Sequence, residues 1–480
     1  MNILILNLPG PVLKAGSRWY NKDKAKTRKN ILRYYPYPWF MGYATALLKK
    51  NGFEVTFKDA IALEWSEDQA RNYINSLKPK YIICEPTWVS LDNDVKFLNS
   101  LDLNAVKIAV GNCATNFPYL CIEKGFDYAV VGEYEFSLLE FFKNEGKQLP
   151  VNFVSRQKKQ YAYYPLVENL DLFPFPERDD TPIEYYNEPS CYGRNVVMVS
   201  SRGCRLKCNF CNVEYIYGRH SYRTRSPQNV VDEMEYLKEN YCFDEIYFDD
   251  DNMVSRKEHP IGICKEIVKR NLKIKWLCMG DGLVDDEVLE WLAKAGCVSY
   301  KFGLEHLDED VLRLIPKPLK AEHMKHIIKK TKELGMRAYV NVMIGLPGST
   351  YKKDLEMVKR VLDMEPDVLQ FSIATPYPGT QFYKQAKEQG WLVSDVFDAT
   401  GEAAVSYSNY SREEITEMFN LAWKMWYKHV ILKQPNSLFF YFKSELKREG
   451  WLPTIVKSIY YFKAALKGIK ETSKKCQSCG

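Results

Sequence analysis

Three cysteines at CxxxCxxC spacing constrain this chain more than any other feature of its sequence. Cys204, Cys208 and Cys211 stand on a predicted turn that follows an apolar run at residues 195–200. Clustered thiolates of this kind are typical ligands of an iron–sulfur cluster. A structural zinc site normally takes four ligands, often as two CxxC pairs, and neither a second pair nor a nearby histidine completes such a set here. Free cysteines are often small core residues, but the regular spacing at a strand-to-loop turn favours a metal cluster.

Three thiolates on a four-iron cluster leave one iron open to a substrate or cofactor, and Phe210 adds an aromatic face beside it. The motif, with an aromatic residue before its last cysteine, resembles the signature of the radical SAM (S-adenosylmethionine) enzymes. In that family the open iron chelates the amine and carboxylate of S-adenosylmethionine, and reductive cleavage gives a 5′-deoxyadenosyl radical. The resemblance implies a 4Fe-4S cluster on Cys204, Cys208 and Cys211, S-adenosylmethionine as cofactor, and an external electron donor such as flavodoxin or ferredoxin.

The length and composition indicate two or three globular domains. The chain has 480 residues, of which 46% are hydrophobic and 27% charged. Met1–Leu8 is apolar without a basic leader, so we expect a strand there, and no apolar run of about 18 residues predicts a membrane span. Reduced thiols among the 13 cysteines and an oxygen-sensitive cluster predict a cytoplasmic protein.

The net charge of +6 is concentrated near the C-terminus. Residues 431–480 contain ten Lys and Arg against three Asp and Glu, so the rest of the chain has a net charge of about −1. A nucleic-acid enzyme would carry its basic excess on the folded body. The sequence therefore predicts no nucleic-acid partner.

Residues 1–145 alternate short apolar strands with helical patterns. Five strands are predicted, at Asn2–Leu8, Phe53–Phe57, Tyr81–Cys84, Lys107–Val110 and Tyr128–Val131. This alternation predicts βαβ units in a parallel sheet, with ligands bound at the carboxyl ends of the strands. The predicted cofactor contacts are the polar residues and glycines at those ends: Thr87, Gly111, Asn112, Gly132 and Glu133.

Three stretches of this region resemble the cobalamin-binding domain found upstream of one radical SAM subfamily. They read YPWFMGYATALLKKNGFEV, KIAVGN and FDYAVVGEYEF. The resemblance implies a Rossmann-like domain that binds cobalamin. Methionine-synthase-like domains carry a DxHxxG motif whose histidine ligates cobalt, whereas residues 1–219 contain no histidine, and the radical SAM subfamily commonly lacks it too. A Rossmann-like domain without a corrin is the alternative.

Residues 146–194 are predicted to be a linker, because the FPFPERD stretch is interrupted by proline and lacks periodicity. Residues 195–400 then show six strand-then-helix units, which match the partial (βα)6 barrel of radical SAM enzymes. A complete barrel would need eight. The predicted strands lie near residues 196–200, 245–248, 275–278, 299–303, 338–344 and 368–373, and the predicted helices near 227–240, 257–270, 285–295, 321–334 and 352–362.

The ends of the barrel strands carry the remaining predicted cofactor contacts. Asp249 and Asp250 follow the second strand, where carboxylates can bind a metal, take a proton or hold the methionyl amine of S-adenosylmethionine. The similar F-x-D-D stretch of the cobalamin-type enzymes lies beside S-adenosylmethionine; a turn that caps the next helix is the alternative. Glu305 matches the G-x-E that contacts S-adenosylmethionine in the family, and we prefer it to His306, although a surface ion pair would also explain it. Gly345 either lets the backbone approach the adenosyl group or forms a tight turn.

Two further stretches match the family less specifically. Thr375–Thr380 reads TPYPGT and is predicted to shape the substrate side of the barrel. Arg223 and Arg225, in an R-x-R stretch after the cluster motif, either order the cluster loop or form a solvated basic turn.

Residues 401–480 are predicted to be helical. A capping-box pattern from Ser411 to Glu414 opens an amphipathic helix that reaches about Leu432. A second run of apolar residues at helical spacing, near residues 453–470, is flanked by lysines. This pattern predicts either a peripheral membrane contact or a helix packed on the barrel with snorkelling lysines. Cys476 and Cys479 form a lone CxxC, which we interpret as part of a frayed tail rather than an auxiliary metal site.

These features predict a cobalamin-dependent radical SAM methyltransferase. The resemblance implies that the adenosyl radical removes hydrogen from an unactivated carbon of a small-molecule or lipid substrate, and that methylcobalamin then supplies a methyl group. Two alternatives stay open. One is an oxidative cyclase or other ring-forming radical SAM enzyme of the same build, and the other is a non-catalytic iron–sulfur or cobalamin sensor whose tail docks on a membrane.

Overall fold

The computed structural model describes residues 2–10 and 35–435, except residues 189, 396 and 398–400, together with scattered positions between 438 and 459. The predicted basic helix near residues 453–470 lies largely outside these described residues, and Cys476 and Cys479 lie entirely outside them. Among the helices of the described part, none is long and apolar enough to cross a membrane.

The N-terminal part of the chain forms a six-stranded sheet. Its strands are β1 Asn2–Asn7, β2 Glu54–Asp59, β3 Tyr81–Cys84, β4 Val106–Ala109, β5 Tyr128–Val130 and β6 Phe153–Val154. Their order is β2-β1-β3-β4-β5-β6, and only β6 runs antiparallel to its neighbour. Apolar clusters cover both faces of the sheet, which explains why the strands read as continuous apolar runs. The five predicted strands are confirmed, and β6 extends the sheet into the stretch interpreted as linker.

Within the described residues, six helices flank this sheet. They are α1 Trp39–Lys50, α2 Glu67–Leu77, α3 Leu91–Asn99, α4 Gly111–Asn116, α5 Pro118–Lys124 and α6 Glu135–Lys143. The capping box expected at the start of α2 is present: Ser66 accepts a hydrogen bond from the Gln69 backbone, and the Gln69 side chain accepts one from the Ser66 backbone.

The second part of the chain contributes eight strands and nine helices within the described residues. The strands are β7 Asn195–Met198, β8 Ser201–Gly203, β9 Tyr222–Thr224, β10 Glu245–Phe248, β11 Lys275–Asp281, β12 Cys297–Glu305, β13 Arg337–Ile344 and β14 Val368–Ile373. The helices are α7 Val213–Tyr217, α8 Pro227–Asn240, α9 Glu258–Lys269, α10 Asp286–Lys294, α11 Glu309–Leu314, α12 Ala321–Glu333, α13 Tyr351–Asp363, α14 Gln381–Glu388 and α15 Arg412–Lys433.

Six of these strands form the predicted half-barrel. Their order is β14-β13-β12-β11-β10-β7, and every neighbouring pair is parallel. Because each strand lies beside the next one along the chain with a helix between them, the carboxyl ends of all six share one rim. The α/β fold class, with its partial barrel and helical C-terminal region, is therefore confirmed.

A small antiparallel pair at this rim was not predicted. β8 pairs with β9, so that Arg202 faces Arg223 and Gly203 faces Tyr222. The segment between these strands carries Cys204, Cys208 and Cys211. We call this segment, residues 204–221, the cluster loop. The strand pair closes the base of the cluster loop.

The carboxyl ends of the two sheets face each other across the domain junction. Glu133, after β5, pairs with Arg202 at the barrel rim. Trp88, after β3, donates its indole N–H to the carbonyl of Asp395 at 2.7 Å. Asn116, at the end of α4, occupies the space that a side chain at Gly379 would enter. Three different connections of the N-terminal sheet thus contact the barrel rim, which places the carboxyl edges of both sheets opposite each other.

Candidate active site

The three motif cysteines line one cavity at the barrel rim. Cys204, Cys208 and Cys211 are all partly exposed and border a cavity of about 300 Å³. The sulfur of Cys204 accepts hydrogen bonds from the backbone N–H of Leu206 and from Nδ2 of Asn252, both at 3.4 Å. Phe210 borders the same cavity. The structure therefore brings together the four residues that the motif nominated.

These cysteines suit a cluster better than a single ion. No three Cys, His, Asp or Glu side chains in the described part of the chain converge on one point as the ligands of a single metal ion would. In a four-iron cluster each thiolate binds a different iron, so the sulfurs stand apart around the cluster. Burial raises the pKa of Cys204 and of Cys208 above the ordinary thiol value, and bound metal deprotonates such thiols. The donor set and its spacing fit a 4Fe-4S cluster.

The strand-end aspartates divide into three different roles. Asp250 is buried below the cluster loop and accepts hydrogen bonds from the backbone and hydroxyl of Ser200 and from the hydroxyl of Ser201. Burial raises its pKa to about 6, although these hydrogen bonds act to lower it. Asp249 accepts a hydrogen bond from the indole of Trp39 at 3.2 Å. Neither of these predicted cofactor contacts borders the cavity, so their proposed contact with S-adenosylmethionine stays a prediction.

The third aspartate and the next residue do border the cavity. Asp251 accepts hydrogen bonds from the backbone N–H of Gly203 at 2.8 Å and from the hydroxyl of Tyr217 at 2.9 Å. Asn252 donates to Asp281 at 2.6 Å as well as to Cys204. The sequence pattern could not separate the functions of consecutive aspartates, because the role of each one depends on partners that are distant in the chain, such as Trp39 for Asp249 and Gly203 for Asp251.

Glu305 lies in the cavity and is paired with Lys317, which no sequence motif indicated. Nζ of Lys317 lies 2.6 Å from Oε1 of Glu305 and also donates to the carbonyl of Gly303 at 2.9 Å. Burial acts to lower the pKa of Lys317, but Glu305 and Cys208 together raise it above its ordinary value. The sequence signal for Lys317 is its place between two prolines inside an apolar stretch, IPKPL.

Glu305 also has an unusual backbone. Its φ angle is +61°, and the pairing of β12 with β13 is irregular between Gly303 and Glu305. A side chain on Gly303 would collide with Oε1 of Glu305 and Nζ of Lys317. Left-handed backbone at a residue other than glycine is costly and is often found at functional sites. These observations support the preference for Glu305 over His306.

His306 and Gly345 belong to a separate buried network behind the rim. Oδ1 of Asp354 lies 3.1 Å from Nε2 of His306, and its Oδ2 accepts hydrogen bonds from the backbone of Gly345 at 2.8 Å and from Tyr410 at 2.9 Å. The space beside Gly345 is filled by Ile415. Gly345 does not border the cavity, so its predicted approach to an adenosyl group stays a prediction.

The predicted contacts in the N-terminal domain lie on the edge that faces the barrel. Thr87 is hydrogen bonded to Ser90, and Asn112 accepts a hydrogen bond from Asn116 at 2.6 Å. Gly111 opens α4 after β4, beside the side chain of Glu85. Their position at the strand ends agrees with the expected corrin side of the sheet.

Gly132 and Glu133 differ from the other predicted contacts. A side chain on Gly132 would collide with Tyr163. Both oxygens of the Glu133 carboxylate are engaged by arginines of the second domain, Oε1 with Arg202 at 2.8 Å and with Arg223 at 2.7 Å, and Oε2 with Arg223 at 3.0 Å. These arginines and burial act in opposite directions, and the pKa of Glu133 is lowered. Glu133 therefore holds the two domains together at the position where a cofactor contact was predicted.

The fold and the site define a class of protein: a half-barrel that carries a three-cysteine cluster loop on its rim, opposite an α/β domain. A family model for the radical SAM superfamily matches residues 198–361, which begin in β7 and include the cluster loop. This part of the chain, residues 198–361, is therefore similar to the radical SAM superfamily.

Several curated relatives have similar sequences. An uncharacterised methyltransferase of Pyrococcus horikoshii is 27% identical over 267 residues, which are 55% of this chain and 57% of that protein. Cytidylyl-2-hydroxyethylphosphonate methyltransferase of Streptomyces wedmorensis is 25% identical over 458 residues, 80% of this chain and 85% of the relative. The anaerobic magnesium-protoporphyrin IX monomethyl ester cyclase of Rubrivivax gelatinosus is 26% identical over 381 residues, 75% of this chain and 67% of the relative. The chain thus spans little more than half of the first of these proteins.

Two solved structures share the fold over most of the chain. The radical S-adenosylmethionine methyltransferase TsrM of Kitasatospora setae, with cobalamin and a 4Fe-4S cluster bound, aligns with a TM-score of 0.65 and 18% identity over 87% of this chain and 85% of its own. The cobalamin-dependent S-adenosylmethionine radical enzyme OxsB, with aqua-cobalamin bound, aligns with a TM-score of 0.68 and 13% identity over 99% of this chain and 80% of its own. Both domains and their arrangement are therefore a known fold.

Proposed function

We propose that this protein is a cobalamin-dependent radical SAM enzyme that methylates an unactivated carbon of a small-molecule or lipid substrate. One observation carries the proposal: the cysteine-lined cavity at the barrel rim lies opposite the carboxyl edge of a parallel α/β sheet. When bound, the cluster supplies an electron for the cleavage of S-adenosylmethionine, and cobalamin supplies the methyl group. The protein orients these cofactors and shields them from water.

The proposed cluster ligands and two proposed contacts of S-adenosylmethionine, Glu305 and Lys317, border the cavity. Cys204, Cys208 and Cys211 would hold the cluster through three of its irons, and the cluster would supply an open iron for the methionyl group. The Glu305 carboxylate and the Lys317 ammonium lie 2.6 Å apart. Side by side, these opposite charges suit the zwitterionic methionyl group of S-adenosylmethionine.

The N-terminal domain would hold cobalamin at its strand ends, with Thr87, Gly111 and Asn112 as the proposed contacts. The sheet edge faces the barrel through the three contacts described above. Because no histidine precedes His220, no imidazole of this domain would bind cobalt from below. The two solved neighbours of this fold contain cobalamin, and this supports the assignment.

Methyl-labelled S-adenosylmethionine tests the proposal. Protein reconstituted without oxygen and supplied with flavodoxin or ferredoxin as electron donor should release 5′-deoxyadenosine and transfer label to its bound corrin. Absence of 5′-deoxyadenosine from protein that holds the cluster would contradict the proposal and favour a non-catalytic sensor.

An oxidative cyclase is a second candidate, because the Rubrivivax relative is a cyclase that aligns with 75% of this chain. A cyclase would release 5′-deoxyadenosine without moving the labelled methyl group. The fate of the label during turnover with a substrate separates the two reactions.

We further propose a cytoplasmic protein with a peripheral membrane contact near its C-terminus. Exposed apolar side chains support the contact: Leu432, Phe439 and Trp451 are each more than 60% exposed, in a region with ten basic and three acidic residues. In a co-sedimentation experiment, the full chain should pellet with anionic vesicles, and a version truncated at Asn436 should stay in solution. Equal pelleting of both would rule out the contact.

A further inference from the structure

A buried arginine joins the cluster loop to the N-terminal domain. Arg202 is only 2% exposed, although it immediately precedes Gly203 and Cys204. Its Nη1 lies 2.8 Å from Oε1 of Glu133, and its Nη2 lies 2.8 Å from Oε1 of Glu135. The guanidinium is also surrounded by four aromatic rings with centroids 4.3–5.4 Å away, those of Trp39, Phe40, Tyr43 and Phe173. Such a planar group, fixed at both ends and on its faces, has little freedom to move.

A second arginine makes this contact a closed unit. Arg223 faces Arg202 across the β8–β9 pair and binds both oxygens of Glu133, at 2.7 and 3.0 Å. One carboxylate of the N-terminal domain therefore holds both strands at the base of the cluster loop. The two arginines and two glutamates balance in charge, and removal of one member would leave a buried charge uncompensated.

The backbone between Arg202 and Cys204, the first proposed cluster ligand, is tightly constrained. Gly203, the residue between Arg202 and Cys204, has a φ angle of +92°, and a side chain there would collide with the carbonyl of Ser221. Its N–H donates to Asp251 at 2.8 Å. A displacement of Arg202 would therefore reach Cys204 directly.

We propose that Glu133 and Glu135 are positioning residues of the iron–sulfur site, which act through Arg202 to fix the cluster loop and to set the reduction potential of the cluster. This inference rests on the cluster of the proposed function. It makes the N-terminal domain a part of the cluster site, and it replaces the predicted cofactor contact of Glu133 by a role in the geometry and charge of that site.

The charge balance distinguishes this role from simple adhesion between domains. Glu133→Gln leaves an excess positive charge near the cluster, which stabilises the reduced form and shifts the potential to more positive values. Arg202→Met leaves an excess negative charge and shifts the potential the other way. The double variant with both changes restores the balance, so its potential lies between those of the single variants. Adhesion alone predicts changes in thermal stability without this pattern of opposite signs.

The experiment is a redox titration of anaerobically reconstituted protein, followed by the electron paramagnetic resonance of the reduced cluster with and without S-adenosylmethionine. Iron, sulfide and the melting temperature of each variant are measured on the same samples. Glu135→Gln is added because it disturbs Arg202 but leaves the Arg223 contacts in place. Glu245→Gln is the matched control: this buried carboxylate lies 3.7 Å from Arg337 at the opposite, amino end of the barrel strands and pairs with neither Arg202 nor Arg223.

Opposite shifts for Glu133→Gln and Arg202→Met, with a smaller shift in the control, are the expected result. Loss of iron from a variant that keeps the melting temperature of the control also supports positioning. Wild-type potential and spectra in every variant that folds, or loss of folding in all of them, would overturn the proposal. A wild-type chain that binds no cluster would instead refute the proposed function.

Discussion

Nζ of Lys317 lies 2.6 Å from Oε1 of Glu305, and both side chains are buried in the wall of the cysteine-lined cavity. The two residues come from different segments, the end of β12 and the loop before α12, and they meet only in the folded barrel. Because the two groups are buried together, each is the main partner that offsets the cost of burying the other's charge.

Replacement of Glu305 by Gln should weaken the binding of S-adenosylmethionine. The change removes a charged acceptor and leaves the Lys317 ammonium without its buried partner, so we expect a loss of about 10- to 100-fold in affinity. Equilibrium dialysis on the reconstituted protein measures it. Glu309→Gln, on an exposed position of α11, is the control and should bind as the wild type does. Unchanged binding by the Glu305 variant would remove Glu305 from the cofactor site.

Replacement of any one of Cys204, Cys208 or Cys211 by Ser should abolish cluster assembly, because only two of the three thiolate ligands would remain. Iron and sulfide content and the release of 5′-deoxyadenosine should all fall to background. Cys242→Ser provides the control, since this thiol is exposed on the surface away from the cavity. A motif variant with full iron content would contradict the assignment.

Replacement of Asp250 by Asn should change the pH dependence of stability. The pKa of Asp250 is about 6 in the folded protein, above the ordinary 3.8, so the folded chain holds a proton that the unfolded chain has lost between these pH values. This group therefore stabilises the fold least at neutral pH, and its contribution declines by about 2.4 kcal/mol as the pH rises from 4 to 7. Asn does not titrate.

Thermal or urea unfolding across pH 4–7 measures this effect as the difference between the wild type and Asp250→Asn. The wild type should lose stability relative to the variant as the pH rises. Asp59, whose pKa is also raised to about 6 by burial, is present in both proteins and cancels in the difference. Parallel profiles would show that Asp250 keeps its ordinary pKa.

Trp39→Phe should loosen the domain junction. The indole N–H donates to Asp249 at 3.2 Å, and phenylalanine keeps an aromatic ring but leaves this carboxylate without that donor. Hydrogen bonds to charged groups contribute about 1.5–3 kcal/mol, so the urea midpoint should fall. Trp65→Phe, at a tryptophan that packs on Tyr73 inside the N-terminal domain, should have a smaller effect. Equal midpoints for Trp39→Phe and the wild type would contradict a role for this hydrogen bond.

The sequence predicted the elements whose signals are local. The strands of both sheets are short apolar runs, and the helix after β9 spans Pro227–Asn240 as predicted, with its start marked by the Ser226 cap and by Pro227. The three-residue strands β8 and β9 were missed, because strands this short carry no alternation and pair only across the cluster loop.

The predicted site was less complete for a physical reason. The cluster ligands share one loop, so their spacing alone reveals them. Glu133 was predicted to contact a cofactor, but Arg202 and Arg223 bind its carboxylate, and these residues are 69 and 90 positions away in the chain. Lys317 likewise is identified as a site residue only by its contact with Glu305. Pairings of this kind depend on how the chain folds back on itself, and no periodicity records them.

The absorption spectrum and metal analysis of anaerobically purified and reconstituted protein show whether a cluster and a corrin both bind to this chain. We expect about four irons, about four sulfides and one corrin per chain, with the bands of both cofactors in one spectrum. Iron–sulfur absorption from a chain that takes up no corrin would rule out the proposed methyl transfer, and a chain that binds neither cofactor would rule out the proposed function.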